Sequence, residues 1–288
     1  MKARLLALTL LAFVLQLAAQ QQTSTESPRV SDILQRMKSA DSAEREKAFD
    51  EASKLLASVE TSQRDLDRLR LSTIQLLIAE NAKNNISAEE MAKLAANTSC
   101  GDGTDNCEGD DESDESSDYF PKLIATVASF NDERGIPALV GAMPWGGEAT
   151  KTLLAYGDKA LGPVLAELKS RNYPLRRSAL DTGITILEIR NDVASRTRVR
   201  ELIEASVNDP SPAFRSHAVQ KIVCLGDRQD FVPTLERVAK TDPWKLPGKV
   251  IDGGDGGQFY PVRYEARRAL RAIQGNEICP EKPLTNVN

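Results

Sequence analysis

At 288 residues, with 41% apolar, 27% charged and only 5% aromatic residues, the chain has the make-up of one large or two ordinary folded domains, which excludes a disordered or fibrous protein. Its net charge of -5 is unevenly placed: nine carboxylates and no Lys or Arg fall between Cys100 and Asp118, and the remainder is nearly neutral and slightly basic. A surplus that small argues against nucleic acid as a partner.

Residues 1–19 carry Lys2 and Arg4, an apolar run from Leu5 to Leu15, and the small residues Ala18 and Ala19. That order predicts a secretory signal peptide cut after Ala19 and a secreted or periplasmic location. The run is well short of the ~20 residues of a membrane span. No Cys follows it to carry a lipid, and no later segment reads as a membrane span. In an oxidising compartment the four cysteines, Cys100, Cys107, Cys224 and Cys279, become disulfide candidates. Three connectivities are open. Nearness favours Cys100–Cys107, which leaves Cys224 with Cys279; the alternative is free buried thiols, above all at Cys224. Zinc fits poorly, because the cysteine spacings match no ligand pattern and His217 is the sole histidine.

After a polar leader from Gln20 to Arg29, residues 20–97 read as an N-terminal helical cap. Its first helix has Val30, Ile33, Leu34 and Met37 on one face. The second has Ala48, Phe49, Ala52, Leu55, Leu56 and Val59, with Asp41 and Glu44 as a capping box. The third starts near Ser62 and turns Leu66, Leu69, Ile74, Leu77 and Ile78 inward; Ser87 and Glu90 open a fourth with Met91, Leu94 and Ala95. None of the four shows the punctuation found further on. Residues 98–118 contain almost no apolar side chain and are longer than an ordinary connection.

From residue 119 to 274 the helices are marked by repeating punctuation. Asn131-Asp132 precedes Ile136-Pro137, Gly157-Asp158 precedes Gly162-Pro163, and Gly226-Asp227 precedes Val232-Pro233, with each Pro expected in a first helical turn. Pro174-Leu175-Arg176 leads to Ala179, Pro212-Ala213-Phe214-Arg215 to Ala218, and Pro261-Val262-Arg263 to Ala266. The Arg-to-Arg steps are 39 and 48 residues, the second stretched by the glycine-rich insertion at residues 251–257. With its Asp-Pro entry at Asp209, its Leu225-Gly226-Asp227 turn and its Val232-Pro233 opening, this stretch resembles a HEAT-type helical repeat. The resemblance implies an all-α fold: an α-solenoid of about four to five HEAT-like helix pairs behind the N-terminal cap, with residues 275–288 as a tail. For function it implies a non-catalytic protein–protein interaction scaffold whose partner is not specified. The alternatives are an accessory subunit of an enzyme complex and, through the acidic loop, a calcium-stabilised extracellular structural protein.

The acidic loop is the candidate cofactor site. Clustered oxygen ligands suit calcium, and Asp105, Glu108, Asp110, Glu112 and Glu115 form the candidate set. In an EF-hand register Gly109 takes the sixth position, but Thr104 stands where the first ligand belongs and Asp111 where an apolar residue belongs. A solvated charge run, with no cofactor, is the competing reading. Residues 253–257 lack the strand and the Lys of a phosphate loop. His217 has neither a second His nor a nucleophile elbow around it, which argues against an enzyme. Candidate partner contacts are Trp145 and Trp244, each beside a Pro in a turn, and the basic run Arg196, Arg198 and Arg200. Asn85 and Asn97 begin glycan acceptor sequons.

Overall fold

The computed structural model describes residues 27–83, 119–145, 147–245 and 259–275. These form twelve α-helices, and no strand occurs among the described residues. The chain divides into two compact units, one ending at Leu76 and the other beginning at Leu77. The boundary expected at residues 98–118 lies outside the described residues.

In the first unit, α1 (Pro28–Arg36) packs on α2 (Ser42–Leu56), and α3 (Gln63–Lys83) begins. Val30, Ile33 and Met37 of the α1 segment and Ala48, Phe49 and Ala52 of α2 are buried, as their helical spacing requires. Asp41 caps α2 by accepting from the Ala43 and Glu44 N–H groups at 2.9 and 3.4 Å. The expected capping box is only half made. Glu44 turns to Arg36, 3.5 Å away, while the Asp41 N–H goes to Ser39 Oγ. Arg36 also binds Asp32 and Glu51 at 2.9 and 2.7 Å, which raises its own pKa and holds Glu51 below the usual carboxylate range. Val59 is fully exposed because α2 has ended before it.

One feature of α2 departs from the sequence reading. Arg45, four residues after the cap, donates Nη1 to the Ser39 and Ala40 carbonyls at 2.9 and 2.8 Å, and Ala48 three residues later is fully buried. Arg215 in the second unit does the same, with Nη1 on the Asp209 and Pro210 carbonyls at 2.9 and 3.1 Å and Ala218 fully buried behind it. The entry of α2 is therefore built like that of Arg215's helix, Pro212–Ile222.

The second unit holds the end of α3, with Ile78 half exposed and Leu77 buried, followed by α4 (Tyr119–Ser129), α5 (Ile136–Ala142), α6 (Gly147–Tyr156), α7 (Asp158–Ala166) and α8 (Tyr173–Arg190). Then come α9 (Val193–Val207), α10 (Pro212–Ile222), α11 (Val232–Thr241) and α12 (Pro261–Gln274). Side-chain caps start α8, α9 and α10: Asn172 on Leu175 N–H, Asp192 on Ser195 N–H and Ser211 on Phe214 N–H, at 3.2, 2.7 and 3.4 Å. Left-handed residues stop others. Asn131 follows α4 at φ 48°, Gly157 follows α6 at φ 56°, and Asn191 closes α8 at φ 52°. Pro137 and Pro233 sit in first turns as expected, but Pro163 lies inside α7. The α7 helix starts directly after Gly157, without the 3-10 turn that precedes α5 and α11, so the same spacing lands a turn deeper.

The main packing runs between helices one or two apart in order: α4 on α6, α6 on α8, α8 on α10 and α10 on α12, with α5 on α6 and α7, α9 on α8 and α10, and α11 on α12. A continuous aliphatic core follows, from Leu180 and Ile184 through Ile203, Phe214 and Ile222 to Leu235, Val262 and Ile273. Each such side chain stabilises the fold by about 1.5–3 kcal/mol. Ala179, Ala218 and Ala266 are fully buried where neighbouring helices meet.

Candidate functional site

The turns of the second unit fall into two sets, and their hydrogen bonds differ in kind. One set lies between residue 167 and 172, at 208–211, at 242–244 and at 259–260, where the chain enters α8, α10 and α12. Arginines link these turns in series. Arg176 donates Nε to the Leu168 carbonyl at 3.1 Å and pairs with Asp209. Arg215 makes a two-pronged pair with Asp242, Nε to Oδ2 at 2.7 Å and Nη2 to Oδ1 at 3.0 Å. Arg263 donates Nε to the Asp242 carbonyl at 2.6 Å. Arg176 also stacks 4.3 Å above Phe214, and Arg263 stacks 4.0 Å above Tyr260. Arg215 and Asp242 are both buried, so this ladder is interior structure.

The opposite turns carry exposed pairs, Lys159 with Glu133 at 2.5 Å, Arg190 with Asp158 and Asp192 at 2.8 and 3.2 Å, and Arg200 with Asp230, and Arg134 grips Asp132 through Nε and Nη2. Asp192 is held below the usual carboxylate range, first by the Ser195 N–H. Here a cleft of about 230 Å³ opens between the end of α8, the first half of α9 and the turn after α10. Leu187, Val199, Leu225 and Phe231 are its apolar lining, each buried. Glu188, Asn191, Arg196 and Asp227 are among its polar residues. Glu188 is occupied by the Gly226 N–H at 3.2 Å. Arg196 is held by the Asn191 carbonyl and side-chain oxygen at 3.0 and 3.1 Å, and has no carboxylate partner among the described residues.

The five predicted contact residues are dispersed. Arg196 and Arg200 line the cleft, whereas Arg198 pairs with Glu201 at 2.9 Å and is not part of the lining. Trp145 is half exposed and meets Phe120 edge to face at 6.2 Å. Trp244 is half buried against the core, its N–H donating to Asp242 Oδ1 at 3.0 Å. Asp209 and Asp242 as ladder members, and Leu225 and Phe231 as cleft lining, are not among the residues expected from the sequence. The signal for the first two was present: an Asp-Pro stands 33 residues after Arg176 and 27 after Arg215.

His217 is buried, with Nε2 at 3.1 Å from both Asp181 oxygens, and Lys221 stands 3.5 Å from Oδ1. Burial pushes Asp181 up, but the hydrogen bond and charge of His217, with Lys221 and Arg177, outweigh it and hold the carboxyl low. The group joins α8 to α10. Asp105, Glu108, Asp110, Glu112, Glu115, Cys100, Cys107 and Cys279, residues 1–26 of the expected signal peptide and leader, the expected fourth helix at 87–95, the glycine-rich insertion and both sequons lie outside the described residues, whereas Pro28 and Arg29 of the expected leader open α1. Among the described residues no three potential ligands gather to hold a metal, and no helix is long and apolar enough to cross a membrane. No family model, curated protein or solved structure matches the chain.

Proposed function

We propose that the second unit is a HEAT-like α-solenoid serving as a non-catalytic protein-interaction module, exported to the periplasm or the cell exterior. The observation that carries the reading is the cleft beside Arg196: an apolar lining, and a guanidinium held in place by Asn191 yet not neutralised. Such a cleft accepts an apolar side chain of a partner with an adjacent carboxylate on Arg196, the arrangement of an interface anchor. Stacking is supported by the packing of α4, α6, α8, α10 and α12 in succession and by the arginine ladder across three turns. Export is supported by the leader-type order of residues 1–19. In that setting the even number of cysteines supports a disulfide between Cys224 and one of the others.

The test places a photo-crosslinking residue at Asp227 in the cleft and, separately, at Glu236 on α11, in the full chain made in its host. The proposal expects one discrete protein adduct at Asp227, lost on Arg196→Glu, and none at Glu236. Equal labelling at both positions, or an adduct indifferent to Arg196→Glu, overturns it. Non-reducing and reducing peptide maps locate the Cys224 partner.

A further inference from the structure

Among the described residues the last arginine of the ladder has no carboxylate partner. Arg176 takes Asp209 from the entry of the next repeat, and Arg215 takes Asp242 from the entry of the one after. Arg263 stands at the equivalent place on α12, with Ala266 fully buried three residues on, as Ala179 and Ala218 are. It holds the previous rung by its Nε–Asp242 carbonyl bond and lies flat on Tyr260. Its two remaining amino groups have no carboxylate among the described residues. Beside it Tyr264 is 45% exposed, with Phe259 5.7 Å from its ring.

We infer that Arg263 with Tyr264 is a docking site for an acidic turn of a partner protein, an Asp-Pro segment of the kind Asp209 and Asp242 present inside this chain. Three features argue for that occupant. The guanidinium is already oriented by its carbonyl bond and by the Tyr260 ring, so its two terminal amino groups are set to receive a carboxylate. The internal rungs define what a matching ligand looks like, because each pairs this arginine with an aspartate that precedes a proline. An exposed Tyr at the open end adds the amphipathic surface that interfaces favour. The inference rests on the reading of the chain as an interaction module, but it uses the opposite set of turns from the Arg196 cleft.

The experiment is calorimetric titration of the full chain with a synthetic peptide copied from residues 204–214 and with the same peptide carrying Asp209→Asn. The expected result is saturable binding of the Asp peptide that weakens as salt rises. Removing the charge-assisted pair, by the Asn peptide or by Arg263→Gln, weakens it about tenfold or more. Arg263→Lys keeps the charge without the fork and falls between. Tyr264→Ala, which leaves the ladder bonds alone, weakens binding without lowering the melting temperature. Thermal melts of each variant identify any that has lost its fold, and Tyr264→Ala then carries the test. Overturning results are absence of binding at millimolar peptide, equal affinity for the Asn peptide, or full competition by inorganic phosphate at matched ionic strength, which makes it a generic anion site. Arg196→Gln is expected to leave this binding unchanged. Failure at Arg263 with the Asp227 crosslink intact removes this site alone, whereas loss of the crosslink with peptide binding intact removes the cleft.

Discussion

The two sets of turns in the second unit are made from the same helices and similar residues, yet they do opposite work. At one, Arg176, Arg215 and Arg263 reach into neighbouring turns, and the Arg215–Asp242 pair is buried, bidentate and backed by two carbonyl bonds. At the other, the pairs around the apolar cleft are solvent-exposed. The difference shows where stability is concentrated and where surface is left over. A buried charge cannot be left unpaired without a large cost, whereas exposed pairs contribute ~0–1 kcal/mol each and can be exchanged for a partner's groups.

The sharpest way to break the contrast is Arg215→Ala. It strands the buried Asp242 carboxylate and frees the Asp209 and Pro210 carbonyls, so urea unfolding is expected to show a loss of about 3–5 kcal/mol. Arg215→Met combined with Asp242→Leu is expected to recover most of that loss, because no charge is then left unpaired. If the double variant is as unstable as the single one, the ladder acts through something other than its charges. Next in size is Ser211→Ala, which removes the cap on Phe214 N–H at the same end. Its bond is long at 3.4 Å, so the expected cost is at the lower side of the usual range, about 0.5–1 kcal/mol by thermal or urea melts.

Part of the fold was legible in the sequence, and the reason is local. Caps and turn residues act over a few positions, so the Asp41 cap and the Asn131-Asp132 and Gly157-Asp158 turns declare themselves in a short window. The buried Ala179, Ala218 and Ala266 were visible for the same reason. Pro163 was misplaced because a spacing measured from the turn does not say whether a 3-10 turn intervenes before the helix starts. Ile78 was assigned inward by a periodicity that Leu76 satisfies instead. The cleft was hidden more deeply. Leu187, Val199, Leu225 and Phe231 come from three elements and look in sequence like ordinary core positions. Only the packing of α8, α9 and α10 leaves a gap between them.

Between the two ends, the Asp181–His217–Lys221 group tests the helix shafts, and its pH dependence is expected to be confined to acid. The folded carboxyl of Asp181 titrates below its unfolded value of about 3.9. Its contribution is therefore present above that pH and is lost as pH falls through the lower, folded value. Denaturation midpoints at pH 5 and pH 3 are expected to differ less in His217→Gln than in the parent chain, since the bond that depresses Asp181 is gone. An unchanged difference means that the acid limb belongs to other carboxylates.

The smallest effect is the one that most sharpens the comparison. Arg198→Ala and Arg200→Ala remove the exposed pairs with Glu201 and Asp230, and together they are expected to change stability by no more than about 0.5–1 kcal/mol. Two residues apart on α9, they point to different sides of the helix and share no partner, so their effects are expected to add. Arg200 lines the cleft and Arg198 does not. If the cleft is the working surface, Arg200→Ala weakens the Asp227 crosslink while Arg198→Ala leaves it intact, although the two are indistinguishable by melting. Should both variants cost several kcal/mol, the outer turns are structural as well, and the separation between a bonded end and an available end collapses. Because exposed pairs are screened by salt, repeating the melts at high ionic strength is expected to shrink their small contributions further while leaving the Arg215→Ala loss nearly unchanged.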